Sequence, residues 1–160
     1  MLGRAKLQRP QAGFSIIEVL FALVLLGMVL VGIAVLMTRS LVVAADARYR
    51  NIGNDLAQEV LELYHRERTL SSWTEFTTAG AGSHCVLSDA KDFSETTTFI
   101  TGACVAQGVT VSGILFQRDV VAVSTPGKLE ATVTVQWKSG RTGNLETQSI
   151  VVKQDFTNWL

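Results

Sequence analysis

The strongest constraint on the fold is an uncharged apolar segment near the N-terminus. Residues 19–37 contain 19 consecutive positions without a charged side chain. A helix of about 20 apolar residues is long enough to cross a bilayer, so this segment predicts a membrane helix. The wider apolar block begins at Phe14 and contains one charged residue, Glu18. A carboxylate inside a membrane segment is costly and usually persists because it has a partner or a function, which makes Glu18 a candidate functional residue.

A short basic segment precedes this block. Residues 1–13 carry Arg4, Lys6 and Arg9 without an acidic residue, which is typical of a processed leader. The alternatives are a retained cytoplasmic flank and an ordinary secretory signal peptide cleaved near residues 45–47, Ala-Asp-Ala. The apolar core of a signal peptide is about 7–15 residues long, and the cut lies close behind it. Here the apolar core is longer and the candidate cut lies well beyond it, which disfavours that alternative.

The junction between the leader and the apolar block reads GFSIIEVL from Gly13 onwards. It resembles the type IV pilin family, whose signature is a basic leader ending in Gly, then Phe, then an apolar run with Glu at the fifth position. Gly13, Phe14 and Glu18 match this signature in register. This stretch of sequence is most similar to the minor-pilin (PilV-like) and type II secretion pseudopilin branches of the family. The resemblance covers only the N-terminal part of the chain.

The resemblance implies cleavage after Gly13 by prepilin peptidase and N-methylation of the new Phe14 amine. It also implies a single pass through the bacterial inner membrane with the N-terminus in the cytoplasm. The head would face the periplasm, and would lie on an extracellular pilus after assembly. The implied partners are other pilin subunits, the peptidase/methyltransferase and the inner membrane.

In such a filament the Glu18 carboxylate would meet the positive Phe14 amine of a neighbouring subunit, or its own. An unpaired charge costs several kcal/mol in a setting of low dielectric constant, so the pair would set the register of the subunits. The alternative is a Glu near the membrane interface that reaches water.

The charge balance gives no sign of nucleic-acid binding. The whole chain has 14 basic and 14 acidic residues. Without the three basic residues of the leader, 11 basic residues stand against 14 acidic ones, a net charge of −3. Because the chain shows no basic stripe, we expect no nucleic-acid partner.

The two cysteines, Cys85 and Cys104, lie far beyond the apolar segment. With the basic leader inside, both are exported to an oxidising compartment, which favours a disulfide. A bridge closing a loop of about 20 residues stabilises a fold by roughly 3 kcal/mol on the chain-entropy account. Two separate buried thiols are the alternative. A zinc site is disfavoured because His84 and the two cysteines supply too few ligands.

The pattern after the apolar segment predicts an amphipathic continuation of the same helix over residues 38–68. Its apolar residues recur at spacings of three and four: Leu41, Ala44, Ala45, Ile52, Leu56, Val60, Leu63 and Tyr64. One helix over residues 14–68 would be roughly 80 Å long at 1.5 Å per residue. Residues 69–98 are rich in Ser, Thr and Gly and predict a variable loop, with Trp73 and Phe76 packed on the core of the head.

The last third predicts an antiparallel sheet of about four strands, at residues 99–105, 109–124, 129–137 and 145–156. Residues 129–137 alternate strictly between apolar and polar side chains, and Ile150 and Val152 should face the same side of the sheet. The predicted fold class is α+β, a pilin fold with the helix packed on one face of the sheet. The predicted organisation is a leader (1–13), an assembly helix (14–37), its amphipathic continuation (38–68) and a globular head (69–160).

No motif for catalysis is present in the sequence. The chain lacks a phosphate-binding loop, a G-x-S-x-G elbow and an H-E-x-x-H pair. His65 is interpreted as a solvated side chain near a helix end and His84 as part of a loop. The acidic residues Asp89, Asp92 and Glu95 are interpreted as loop solvation, with a calcium site as the less favoured alternative. We therefore expect no enzymatic activity, no cofactor and no metal.

The function hypothesis from the sequence is a minor pilin that initiates or modifies a type IV pilus, with roles in adhesion or secretion. The first alternative is a pseudopilin of a type II secretion system, and a major pilin comes third. A single-pass, membrane-tethered binding domain is an alternative of another class, because it would need neither leader cleavage nor Glu18.

Overall fold

The computed structural model describes residues 15–88, 90–139 and 146–158. Two helices and six strands lie within these residues: α1 (Ile16–Leu70), α2 (Trp73–Gly80), β1 (Gly82–Val86), β2 (Phe99–Thr101), β3 (Val109–Val111), β4 (Ile114–Thr125), β5 (Lys128–Ser139) and β6 (Glu146–Thr157). Gly13, Phe14, Asp89 and the predicted turn at residues 140–144 lie outside the described residues.

The chain divides into two units, Met1–Ala44 and Ala45–Leu160. The described residues of the first unit belong to α1 from Ile16 onwards, and every one of them is exposed. Among the described residues, α1 is the one helix long and apolar enough to cross a membrane. Its N-terminal half is apolar on all sides, as expected of a segment surrounded by lipid or by other apolar helices.

In the second unit, α1 becomes buried on one side from Tyr49 onwards. Its buried residues follow spacings of three and four along the helix: Gly53, Leu56, Ala57, Val60, Leu61, Leu63, Tyr64, Glu67 and Arg68. The apolar stripe expected from Leu56 to Tyr64 therefore packs in the core of the head. Leu41, Ala44 and Ala45, which belong to the same predicted stripe, are exposed.

The prediction of an irregular loop over residues 69–98 is wrong in its first half. Residues Trp73–Gly80 form α2, and Ser72 caps its N-terminus. The Ser72 hydroxyl accepts a hydrogen bond from the Glu75 N–H at 3.3 Å, and the Glu75 carboxylate accepts one from the Ser72 N–H at 3.1 Å. This reciprocal capping box is readable in the sequence as Ser-x-x-Glu. Phe76 is buried and Trp73 packs against the core, as predicted.

His84 also differs from its prediction. It lies in strand β1 rather than in a loop, and only 6% of its surface is exposed. Its ring stacks on Phe99 with 4.3 Å between centroids, and its Nε2 lies 3.1 Å from the Ala81 carbonyl oxygen. The short strand Gly82–Val86 gives too few positions for a period-two pattern to be visible in the sequence.

The described strands form one antiparallel sheet in the order β2-β1-β4-β5-β6, with β3 paired to β4. Six strands replace the four expected, partly because the predicted strand at residues 109–124 folds back on itself. Val111 pairs with Ile114 across a two-residue turn in which Ser112 has φ 52° and Gly113 has φ 80°. Positive φ at both turn positions matches the twist of a tight hairpin, and Gly adopts it without steric cost.

The period-two prediction for β5 is confirmed. Leu129, Ala131, Val133 and Val135 are fully buried, and Trp137 is 3% exposed. Strand β5 lies between β4 and β6; it pairs with β6 over its whole length and with β4 from Lys128 to Trp137. Ile150 and Val152 of β6 pack against the same core, as expected from their alternation.

The helix packs closely on the sheet at Gly53. A Cβ atom at this position would lie 3.0 Å from Trp137 Cζ3 and 3.1 Å from Ile150 Cδ1. These separations are shorter than ordinary van der Waals contact, so the absence of a side chain permits the close packing. Gly53 is therefore a packing residue of the head.

An aromatic cluster around Tyr64 fills the core of the head. The Tyr64 ring contacts Phe76, Phe93, Phe99 and Phe156 at centroid distances of 4.7–6.3 Å. Its hydroxyl donates a hydrogen bond of 2.9 Å to the Gly80 carbonyl oxygen. Tyr64 thus links α1 to the end of α2 through one buried polar contact inside an apolar cluster.

Candidate assembly site on the N-terminal helix

Glu18 lies in the first turn of α1. The Ser15 carbonyl oxygen accepts hydrogen bonds from the N–H groups of Glu18 at 2.9 Å and Val19 at 3.2 Å, and these bonds form the first turn of the helix. The Glu18 side chain is exposed. A carboxylate in the first turn interacts favourably with the positive end of the helix dipole, so the local structure suits an acidic residue here.

The surface around Glu18 is apolar and uncovered. Ile16 is 82% exposed, Leu20 56% and Phe21 65%. Large exposed apolar surfaces mark contacts with a membrane or with other proteins. Together with the apolar length of α1, this surface supports membrane anchoring. It presents one carboxylate in an otherwise hydrocarbon-like setting, which would strongly favour a cationic partner.

The pairing of Glu18 with the Phe14 amine stays a prediction. Gly13 and Phe14 lie outside the described residues, so the structure gives no distance between the two groups. It places Glu18 at the start of the helix, one turn from the sequence position of Phe14.

The predicted disulfide is present between Cys85 in β1 and Cys104 in the connection after β2. Two side chains of β4 hold the backbone of Cys104 from the same side. Asp119 Oδ1 accepts a hydrogen bond from the Cys104 N–H at 2.5 Å, and Gln117 Nε2 donates one to the Cys104 carbonyl oxygen at 3.2 Å. The bridge and these contacts fix the β2–β3 connection on the sheet.

Arg118 is a structural residue that the sequence reading missed. It lies in β4 with 1% of its side chain exposed. Its guanidinium donates to Glu59 Oε2 and its Nε to the Val86 carbonyl oxygen, each at 2.9 Å, and it also donates to the Leu87 carbonyl oxygen. Arg118 therefore joins α1 to the end of β1. The signal was present, since Arg118 occupies an inward position between Phe116 and Val120.

Within the described residues, no group of three or more His, Cys, Asp or Glu side chains is arranged to hold a metal ion. The acidic residues of the loop after β1 bond to their neighbours. Asp92 Oδ1 accepts from the Ser94 hydroxyl at 2.5 Å, which lowers the Asp92 pKa, and Glu95 accepts from the Lys91 N–H at 3.1 Å. Asp89, the third acid of the calcium alternative, lies outside the described residues.

Comparison with known proteins gives a match at the N-terminus. The sequence matches the prokaryotic N-terminal methylation motif over residues 8–34. This match includes Gly13, Phe14 and Glu18 and the first part of α1. No curated protein and no solved structure gave a match to the chain.

The motif is of the prepilin type and indicates a family of structural subunits. It implies processing by prepilin peptidase and assembly with other pilins in a membrane-associated system. The long N-terminal helix packed on an antiparallel sheet is the α+β architecture expected of a pilin. This motif, together with this fold, supports a type IV pilin-like family for the chain.

Proposed function

We propose that the chain is a minor pilin, a structural subunit that initiates or modifies the assembly of a type IV pilus. The observation that carries this proposal is the register of Gly13, Phe14 and Glu18 immediately ahead of an exposed apolar helix. The methylation motif supports processing at Gly13. The compact head, held together by its own core and a disulfide, is suited to display outside the membrane.

The proposed mechanism begins with cleavage after Gly13, which removes the basic leader and creates a positive amine on Phe14. The apolar part of α1 then leaves the bilayer to pack among equivalent helices. In that apolar setting an unpaired Glu18 carboxylate would cost several kcal/mol, whereas a Phe14 amine beside it offsets the cost. A subunit shifted along the filament axis would separate the two charges, so the pair selects one register.

The cleavage step is tested by analysing the N-terminus of the membrane-associated protein. We expect mass spectrometry to find a mature chain that begins with N-methylated Phe14. Replacing Gly13 with Arg should leave the full-length precursor in the membrane. An intact leader on the exported wild-type protein, or a mature-length chain of normal abundance in the Gly13→Arg variant, would contradict the assignment.

The role of Glu18 is tested by assembly rather than by processing. The variant Glu18→Ala should be cleaved normally but should enter filaments poorly, because the apolar core then holds an unpaired amine. The matched control is Glu62→Ala, which removes an exposed carboxylate from the part of α1 that belongs to the head. Filament content is measured by immunoblotting of sheared fibres. Equal incorporation of both variants would show that Glu18 does not set the register.

The pseudopilin of a type II secretion system is the alternative role, since it would use the same leader, helix and carboxylate. The two roles differ in the fibre that contains the chain. Purified pili should contain the chain if it is a minor pilin, and deletion of its gene should alter pilus number. A secretion defect with normal pili would favour the pseudopilin.

A further inference from the structure

The edges of the sheet differ in length. At one edge, strands β2 and β3 have three residues each, whereas β6 at the other edge has twelve, Glu146–Thr157. Among the described residues, no strand pairs with β6 on the side away from β5. A short edge strand offers little backbone for pairing, whereas a long one is a template for another strand. The free side of β6, here called the β6 edge, is therefore where the sheet can be extended.

The backbone of β6 is regular over its whole length. Each of its twelve residues pairs with β5 in one unbroken register, from Glu146 opposite Ser139 to Thr157 opposite Lys128. In an antiparallel ladder, alternate residues direct their N–H and C=O groups to the partner strand, and the others direct them away from it. About six residues of β6 therefore present these groups at the free edge. Proline and bulges, which blunt many natural edges, do not occur in β6.

The charged side chains on the outer face of β6 are directed toward β5. Lys153 Nζ lies 3.6 Å from Glu130 Oε1, and Asp155 Oδ2 lies 2.9 Å from Lys128 Nζ. Charged side chains, above all lysine, protect an edge strand from pairing when they stand over its free side. Both partners here belong to β5, on the covered side of β6. Neither Lys153 nor Asp155 therefore shields the β6 edge.

The sequence of β6 is symmetric in residue class about Val151. Residues 147–155 read TQSIVVKQD, so positions at equal distances from Val151 hold side chains of the same kind. The apolar pair is Ile150 and Val152, and the polar pairs are Ser149 and Lys153, Gln148 and Gln154, and Thr147 and Asp155. An antiparallel copy centred on Val151 would set apolar side chains against apolar ones and polar against polar. Neither Lys153 nor Asp155 would face a like charge, which would be destabilising.

We propose that the β6 edge binds a second copy of this chain, with the two β6 strands antiparallel and centred on Val151. Residues 147–155 of each copy would pair over about 30 Å and exchange about eight to ten backbone hydrogen bonds. Ile150 and Val152 pack against the core of their own head, so the pairing would bring the two cores side by side. The Val151 side chain, which is 55% exposed, would meet its counterpart in the second copy. This contact belongs to the head and does not depend on the N-terminal motif.

The first test is disulfide cross-linking of the full chain in detergent. Side chains directly opposite each other in an antiparallel pair have Cβ atoms about 4.5–5.5 Å apart, close to the separation that a disulfide requires. The variant Val151→Cys should therefore form a covalent dimer on mild oxidation, seen on a non-reducing gel. The matched control is Val123→Cys, because Val123 is also 55% exposed but lies in β4, inside the sheet. The register control is Ser149→Cys, whose two thiols would lie roughly 13 Å apart along the strands.

We expect Val151→Cys to cross-link and both controls to stay monomeric on the gel. Equal cross-linking of Val151→Cys and Val123→Cys would overturn the β6 edge as the contact. Cross-linking of Ser149→Cys as fast as that of Val151→Cys would overturn the antiparallel register centred on Val151.

The second test measures association by sedimentation equilibrium of the full chain in density-matched detergent. The wild type should dimerise as its concentration rises. The variant Val151→Lys would place two ammonium groups against each other, so its dimer should be weaker by at least about tenfold. Val123→Lys makes the same change at equal exposure and should dimerise as the wild type does. Near-ultraviolet circular dichroism of each variant checks that the head is folded.

Two results of this measurement would contradict the proposal. A wild type that stays monomeric at every concentration would overturn the second copy as the occupant, and would leave the β6 edge to a strand of a different protein. Equal dimerisation of Val151→Lys and Val123→Lys would show that the copies meet elsewhere, for example through the exposed apolar part of α1.

Discussion

The hydroxyl group of Tyr64 offers a sharp test of the core of the head, because the chain contains only two tyrosines. Tyr64 is fully buried and its hydroxyl donates to the Gly80 carbonyl oxygen. Tyr49 is only partly buried, and its hydroxyl makes no hydrogen bond within the described residues. The variant Tyr64→Phe therefore removes one buried hydrogen bond, and Tyr49→Phe is a matched control with the same chemical change.

The loss of stability expected for Tyr64→Phe at neutral pH follows from the burial of both Tyr64 and Gly80. Gly80 is buried as well as Tyr64, so the Tyr64→Phe variant leaves a carbonyl oxygen without a donor and without access to water. Such a loss lowers the free energy of unfolding by about 1.5 kcal/mol. For a domain of about 100 residues, this corresponds to a fall in Tm of roughly 6 °C. The Tyr49→Phe variant should change the free energy of unfolding by less than about 0.5 kcal/mol.

The difference between wild type and the Tyr64→Phe variant should also depend on pH. Burial raises the pKa of the Tyr64 phenol in the folded protein above the value of about 10 that it has in an unfolded chain. Above pH 10 the unfolded state binds fewer protons than the folded state, so the stability contributed by this phenol falls as pH rises. Between pH 10 and 11 the free energy of unfolding of the wild type should fall by about 1 kcal/mol more than that of the Tyr64→Phe variant.

The assay is equilibrium unfolding of the full chain in detergent, followed by near-ultraviolet circular dichroism at pH 7, 10 and 11. Using differences between wild type and variants cancels the titration of the other groups. The reasoning is refuted if the Tyr64→Phe and Tyr49→Phe variants have equal stability at pH 7. It is also refuted if the gap between wild type and Tyr64→Phe does not narrow at high pH.

Two further predictions concern packing and the disulfide. Gly53→Ala should lower the free energy of unfolding of the head by about 1–3 kcal/mol, because the added methyl group would be overpacked against Trp137. Gly27 has open space around it, so Gly27→Ala should leave the unfolding of the head unchanged. The denaturant midpoints of both variants test this prediction. Reduction of the Cys85–Cys104 disulfide, which joins residues 19 positions apart, should lower the free energy of unfolding by about 3 kcal/mol. Denaturant titrations with and without dithiothreitol measure this change. An unchanged denaturant midpoint would contradict the prediction.

The features that the sequence predicted correctly depend on local periodicity. Three such patterns can be recognised without knowing which residues cover them: an uncharged segment long enough to cross a bilayer, an apolar stripe with helical spacing, and a strict alternation of apolar and polar residues. Strand β5 is the clearest case, because every apolar position in its alternation is buried. The capping box at Ser72 was equally readable, but it starts a helix too short to show periodicity.

The candidate assembly site was likewise visible in the sequence, since its motif is a linear arrangement of Gly13, Phe14 and Glu18. A small polar pocket of the head could not be predicted from the sequence. It is lined by Asp46 and Arg50 of α1, Trp137 and Ser139 of β5, and Gln148 of β6. Its members are separated by up to 102 positions in the sequence, from Asp46 to Gln148, and no local pattern joins them. The pairing of β5 with β6 and the close approach of α1 at Gly53 bring them together.

The sequence by itself therefore determined the long apolar helix, the N-terminal methylation motif and the alternation of strand β5, because each is a property of neighbouring residues. Tertiary structure decided the burial of Arg118 and His84, the folding back of β3 on β4 and the point at which α1 becomes covered. The physical reason is that burial and hydrogen-bond partners depend on residues distant in the chain. Arg118 can be an inward-facing cation because Glu59 and the carbonyl oxygens of Val86 and Leu87, all distant in the sequence, accept hydrogen bonds from its guanidinium.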